Sequence, residues 1–75
     1  MKTILLPIDL DETDAIEMDE AFGNYPQIGV VNTGEYDLYD PIFSLTSDEQ
    51  SLRKWVTEMY DSEMTDVDLD ALFGK

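Results

Sequence analysis

Apolar and polar residues change their period several times along this chain, and each change marks an element. Lys2-Thr3-Ile4-Leu5-Leu6 is a short β-branched and aliphatic run ended by Pro7, which predicts a strand over residues 2–6. Ala15, Met18 and Phe22 then recur at helical spacing, with Asp11 or Thr13 placed to cap the helix and Gly23 in the stop position. Gln27-Ile28-Gly29-Val30-Val31 is a second β-branched run, followed by the turn-prone Asn32-Thr33-Gly34. Glu35-Tyr36-Asp37-Leu38-Tyr39 alternates with period two, so residues 27–31 and 35–39 are expected to form a hairpin. Asp40-Pro41 should interrupt pairing, leaving residues 42–45 as a bent continuation or an edge strand.

The strongest helical signal follows. Ser47 is placed to cap, Gln50 to complete a capping box, and Asp48 and Glu49 fall in the first turn, where the helix dipole favours acids. Leu52, Trp55, Val56, Met59 and Tyr60 form an i, i+3, i+4, i+7, i+8 stripe that should face the core. A further start signal lies at Thr65, with Met64 and Leu69 as a hydrophobic staple, and a short helix then carries Val67, Leu69, Leu72 and Phe73 up to Gly74. The order β-α-β-β-α-α predicts an α+β fold, a small sheet with helices packed on it, formed by residues 1–75 as a single domain.

Length makes that domain a small one. At 75 residues the chain is near the lower limit for unaided folding, although 43% hydrophobic content with eight aromatics supports a modest core. There is no cysteine, hence no disulfide and no thiolate chemistry, which suits a reducing compartment. The apolar start meets acid at Asp9, and no apolar run has the length of a bilayer span. A cytoplasmic location is expected.

Charge changes the picture most. Eighteen Asp and Glu against four Lys and Arg give a net charge of −14. Solubility of a small domain needs only about 2–8 charges, and the excess opposes compaction by self-repulsion. A nucleic-acid binder carries the opposite sign, and an anionic membrane surface repels this one. Neither direct nucleic-acid binding nor membrane association is therefore expected. Catalysis also has little to draw on, because His and Cys are both absent and the cations are few. The chain is expected not to be an enzyme, and to need no cofactor.

Three patterns compete for the acids. Residues 9–20 match much of a calcium-binding EF-hand loop, with Asp9, Asp11 and Thr13 at positions one, three and five and Glu20 at twelve. Asp14 occupies the sixth position, where that loop needs glycine, and the preceding segment reads as a strand instead of an entering helix. No metal ligands are assigned on this basis. In the tail, Leu69, Leu72 and Phe73 interleaved with acids resemble adaptor segments that dock in apolar grooves, including the peptides that grip sliding clamps. The same residues also suit an amphipathic helix closing the core.

The third pattern is the anionic surface itself. Eighteen carboxylates spread over roughly 4,700 Å² give one per roughly 260 Å². Duplex DNA carries one phosphate per about 1.7 Å of axis, roughly one per 110 Å² of a cylinder of about 10 Å radius. Even scatter is too dilute to imitate DNA, but the acids are clustered, seven in residues 9–20 and five in residues 61–70. Residues four apart on a helix rise about 6 Å, close to the spacing of successive phosphates.

In size, charge and want of catalytic residues the chain resembles the small acidic phage proteins that disable host nucleic-acid-binding machinery, among them DNA mimics, anti-restriction and anti-CRISPR proteins. The resemblance implies an inhibitor whose partner is a basic nucleic-acid-binding protein of the host. The residues expected to meet that partner are Asp9, Asp11, Glu12, Asp14, Glu17, Asp19 and Glu20 in the first cluster. In the second they are Asp61, Glu63, Asp66, Asp68 and Asp70.

Overall fold

The strand that was expected to be marginal is the centre of the sheet. In the computed structural model, which describes residues 1–74, β1 (Lys2–Pro7), β2 (Gly29–Asp37) and β3 (Asp40–Ser47) form an antiparallel sheet in the order β1-β3-β2. Phe43, Leu45 and Ser47 alternate along β3 on one face and are fully buried. Register places Leu6 beside Phe43, Ile4 beside Leu45 and Val30 on the other flank of Leu45, so the inner face is a continuous apolar patch. Ser47 is tolerated there because its hydroxyl donates to the Gln27 carbonyl at 3.1 Å. Leu5, Ser44 and Val31 line up on the opposite face, where Leu5 and Val31 are 59% and 62% exposed. The helices cover the inner face, giving a two-layer α+β fold with the predicted order of strands and helices.

The hairpin turns at a different place from the one its turn residues suggest. Asn32-Thr33-Gly34 does make a local reversal: the Gly34 N–H donates to Asn32 Oδ1 at 2.8 Å, and Gly34 is left-handed at φ 83°. This reversal is a bulge inside β2, where residues 33–35 bulge out between the pairs Asn32–Phe43 and Tyr36–Pro41. The Thr33 hydroxyl pins the bulge by donating to the Ile42 carbonyl at 2.7 Å. The chain turns at Leu38-Tyr39, with Leu38 at φ 56°, a left-handed conformation unfavourable for a side chain of this size. Turn propensity is local, whereas pairing is decided by the buried alternation of β3, which gains a neighbour on each side.

Helix α1 (Ala15–Phe22) packs Phe22 against Trp55, the rings stacked at 4.8 Å and 7°. The Trp55 indole donates to the Ala21 carbonyl at 2.8 Å, so this 2% exposed side chain has its polar atom satisfied. Helix α2 (Glu49–Trp55) is capped by Asp48, whose carboxylate accepts the Ser51 N–H at 2.9 Å; the expected cap, Ser47, is still in β3. That bond and a second from the Ser51 hydroxyl hold the Asp48 carboxyl below its usual range. After Trp55 the helix widens into a π turn (Val56–Tyr60), with the Asp61 N–H donating to the Val56 carbonyl at 2.8 Å. At this junction the Thr57 hydroxyl donates to the Arg53 carbonyl at 3.0 Å, competing with the backbone ladder.

The π turn corrects the predicted stripe. Leu52, Trp55 and Val56 are in the core, but Met59 and Tyr60 are 45% and 36% exposed. One extra residue in a turn shifts the phase by about 100°, the angle between successive residues at 3.6 per turn. Helix α3 (Asp66–Leu72) closes the fold by burying Leu69, under a Thr65–Asp68 capping box. Among the described residues, no helix is long and apolar enough to cross a membrane.

Candidate interaction surface

The first acidic segment divides its carboxylates between shaping the backbone and facing solvent. Asp11 accepts from both the Thr13 hydroxyl, at 2.7 Å, and the Thr13 N–H, at 2.9 Å. These bonds hold its carboxyl below the usual range. Asp14 caps α1 by accepting the Ile16 and Glu17 N–H groups at 3.0 and 3.2 Å, which corrects the expected cap at Asp11 or Thr13. Asp11 makes a turn one step earlier, so the helix starts at Ala15. Leu10, the only apolar residue between Asp9 and Thr13, dips into the core at 7% exposure and holds the loop against the sheet.

Two adjoining concavities flank this loop and share Asp9, Leu10 and Glu17. One, of about 400 Å³, is lined by Asp9, Asp11, Glu12 and Glu17 together with Thr13, Asn32, Tyr36 and Pro41. The other, of about 280 Å³, has an apolar lining of Ile8, Leu10, Ala21, Trp55, Met59 and Tyr60, with the carboxylates of Asp9, Glu17 and Glu20 around it. The displaced ends of the helical stripe, Met59 and Tyr60, thus become a wall. Tyr60 is fixed there by its hydroxyl, which donates to the Pro7 carbonyl at 3.0 Å, and by its ring, 6.1 Å from that of Trp55. Its phenol is pushed above its usual range by burial and by the negative charges of Asp40, Asp61 and Asp37.

Of the expected residues, Asp9, Asp11, Glu12, Glu17 and Glu20 line this surface, whereas Asp61, next to Tyr60 in the chain, lines neither concavity. Asp19 is exposed on α1 and Glu63 is exposed beyond the π turn, its N–H donating to Asp61 Oδ1 at 3.0 Å. Other members of the second cluster have structural duties. Asp68 accepts the Thr65 hydroxyl and N–H in the capping box, and Asp66 lies exposed in the first turn of α3. Asp70 is ion-paired with Arg53, which also binds Glu49 at 3.0 Å and lies over the Phe73 ring, 5.1 Å from its centroid. Among the described residues none of the seven acids in residues 9–20 is ion-paired, whereas Asp70 is.

Other residues of the surface had weaker signals in the sequence. Asp37 and Asp40 flank the Leu38-Tyr39 turn, and nothing local announces that their charge acts on Tyr60. Met59 and Tyr60 carried a helical signature and were expected inside. Of the tail residues, Leu69 is 4% exposed, with Leu72 and Phe73 half-buried, so docking them in a partner's groove would require α3 to leave the core. Lys75 lies outside the described residues.

The EF-hand-like spacing of residues 9–20 is not realised as a coordinating loop. Asp14 is extended at φ −92° and ψ 101°, and α1 already begins at the seventh position of the pattern. Among the described residues no group of three or more acidic side chains is arranged to hold a metal ion. Set against known protein families, curated proteins and solved structures, the chain matches none.

Proposed function

We propose that this protein is an acidic inhibitor that binds a basic nucleic-acid-handling protein of a host cell and blocks its nucleic-acid site by occupancy, not by catalysis. The observation that carries the reading is the convergence of Asp9, Asp11, Glu12, Glu17 and Glu20 on two adjoining concavities, with none of them ion-paired among the described residues. Local charge density decides whether carboxylates can stand in for phosphates. Eighteen carboxylates on 4971 Å² average about 276 Å² each, well short of DNA, so an even spread cannot stand in for phosphates and the reading rests on the clustered acids. Net charge of −14 supplies the long-range attraction that steers a cationic partner into contact. The burial of Leu69 weighs for this surface over the C-terminal tail as the binding element.

The test uses immobilised protein and a bacterial lysate. Retained proteins should be basic, released by added duplex DNA, and released by salt as the Debye length contracts to about 10 Å at 0.1 M and about 3 Å at 1 M. A triple variant, Asp14→Asn with Glu17→Gln and Glu20→Gln, should retain far less at a melting temperature close to that of the parent, because asparagine caps a helix about as well as aspartate. Retention indifferent to DNA and salt, and equal in the variant, would make the acidic face a solvated surface and overturn the reading.

A further inference from the structure

We infer that the concavity beside Trp55 takes a cationic amphipathic segment of the partner, seating one apolar side chain between α1 and the π turn while Lys or Arg residues beside it meet Asp9, Glu17 and Glu20. This rests on the reading of the partner as basic and adds how that partner is held. The lining is largely apolar although the molecule is strongly charged: Met59 and Tyr60, placed by their spacing for the core, stand 45% and 36% exposed in the π turn. A chain under strong self-repulsion gains nothing for its own stability from an open apolar hollow. The π turn that opens it is a departure of the kind that recurs at functional sites.

Charge decides the occupant. A neutral apolar segment would cover the hollow but remove water from Asp9, Glu17 and Glu20 without giving them partners, an unfavourable exchange. An acidic segment would add repulsion, and a second copy of this chain would bring another −14. A segment with an apolar anchor flanked by cations satisfies both parts of the site, the hydrophobic effect holding the anchor and charge-assisted contacts fixing its orientation. The field extends past the three lining acids, since Asp37, Asp40 and Asp61 all act on Tyr60 at the same wall.

The single tryptophan lines the hollow and reports on it directly. Two synthetic helical peptides of equal positive charge serve as probes, one with leucines along one face between lysines, the other with every leucine replaced by glutamine. At about 0.15 M salt the leucine peptide should bind about tenfold or more tighter and shift the Trp55 emission, which the glutamine peptide should leave unchanged. Met59→Ser should weaken the leucine peptide by about fivefold and leave the glutamine peptide unaffected. If Met59→Ser does not fold, Ala21→Gln, which puts an amide into the hollow, should give the same pattern. Equal affinity for the two peptides, or a leucine peptide indifferent to both substitutions, overturns the inference while leaving the acidic surface intact. Glu17→Gln with Glu20→Gln should weaken both peptides; if neither weakens, the fault lies in the broader reading of the surface. Dimerisation of the free protein that Met59→Ser abolishes would assign the hollow to a second copy and also overturn the inference.

Discussion

Helices α1 and α3 are built from similar material: residues 16–23 and 67–74 both interleave acids with apolar residues and end in Phe-Gly. Their surroundings separate them. Phe22 of α1 is 8% exposed and stacked on Trp55, and Glu17 and Glu20 of α1, with Asp9, Asp11 and Glu12 of its entry loop, line open concavities. Phe73, just after α3, is half-buried under the Arg53 guanidinium, and Arg53 draws Asp70 into an ion pair. The same composition thus yields a free anionic surface in one place and a docked closing helix in the other. A single arginine on the facing helix makes much of the difference, because it neutralises one acid, covers one aromatic ring and ties both to α2.

The largest expected effect tests the packing side of that contrast. Phe22→Ala or Trp55→Ala should each cost about 3–5 kcal/mol, while Phe73→Ala, half-buried, should cost less than about half of that. Denaturant unfolding of the three variants measures the difference. Equal losses at Phe22 and Phe73 would mean that α3 is as much a part of the core as α1, and would remove the asymmetry.

A smaller effect is expected from pH. Asp11 and Asp48 have carboxyls held below 3.8, so the stability they contribute is present above pH 3.8 and is lost as pH falls through their lowered values. Tyr25 runs the opposite way. Its hydroxyl donates to Glu58, which raises the phenol above 10.0, so its contribution is present below pH 10 and is lost as pH climbs past the raised value. Melting temperature against pH should therefore fall at both extremes, with Tyr25→Phe flattening the alkaline fall and Asp11→Asn with Asp48→Asn flattening the acid one. Unchanged slopes in these variants would assign the falls to other groups.

The smallest effect belongs to the charged face. Glu17 repels Glu20 three residues on but sits in the first turn of α1, where the helix dipole favours an acid, so the two effects offset and Glu17→Gln should change stability by less than about 0.5 kcal/mol, and less in high salt. A loss exceeding about 1 kcal/mol would show that Glu17 supports the fold and is not held in place for a partner.

Much of the architecture was legible in the residues. The α+β class, the order of strands and helices, the core role of Trp55 and the Thr65 cap all follow from period and capping chemistry, which act within a few residues. Elements misplaced by the pattern were those where a distant partner outweighed local preference. Asn32-Thr33-Gly34 made its reversal but was absorbed as a bulge, because β3 has a buried face that needs strands on both sides. Ser47 would cap well, yet its hydroxyl is claimed by Gln27, twenty residues back, and Asp48 takes the role.

The candidate surface divides along the same line. Sequence alone determined that the molecule is strongly acidic, that its acids cluster and that a helix carries part of the first cluster, since charge and helical spacing are properties of neighbours in the chain. The tertiary structure decided which acids stay unpaired, because that depends on whether a rare cation such as Arg53 packs nearby. It also decided that Met59 and Tyr60 wall an open hollow: one extra residue in the turn after Trp55 rotates them out of the core, and the hollow exists only where that turn meets α1 and the end of β1.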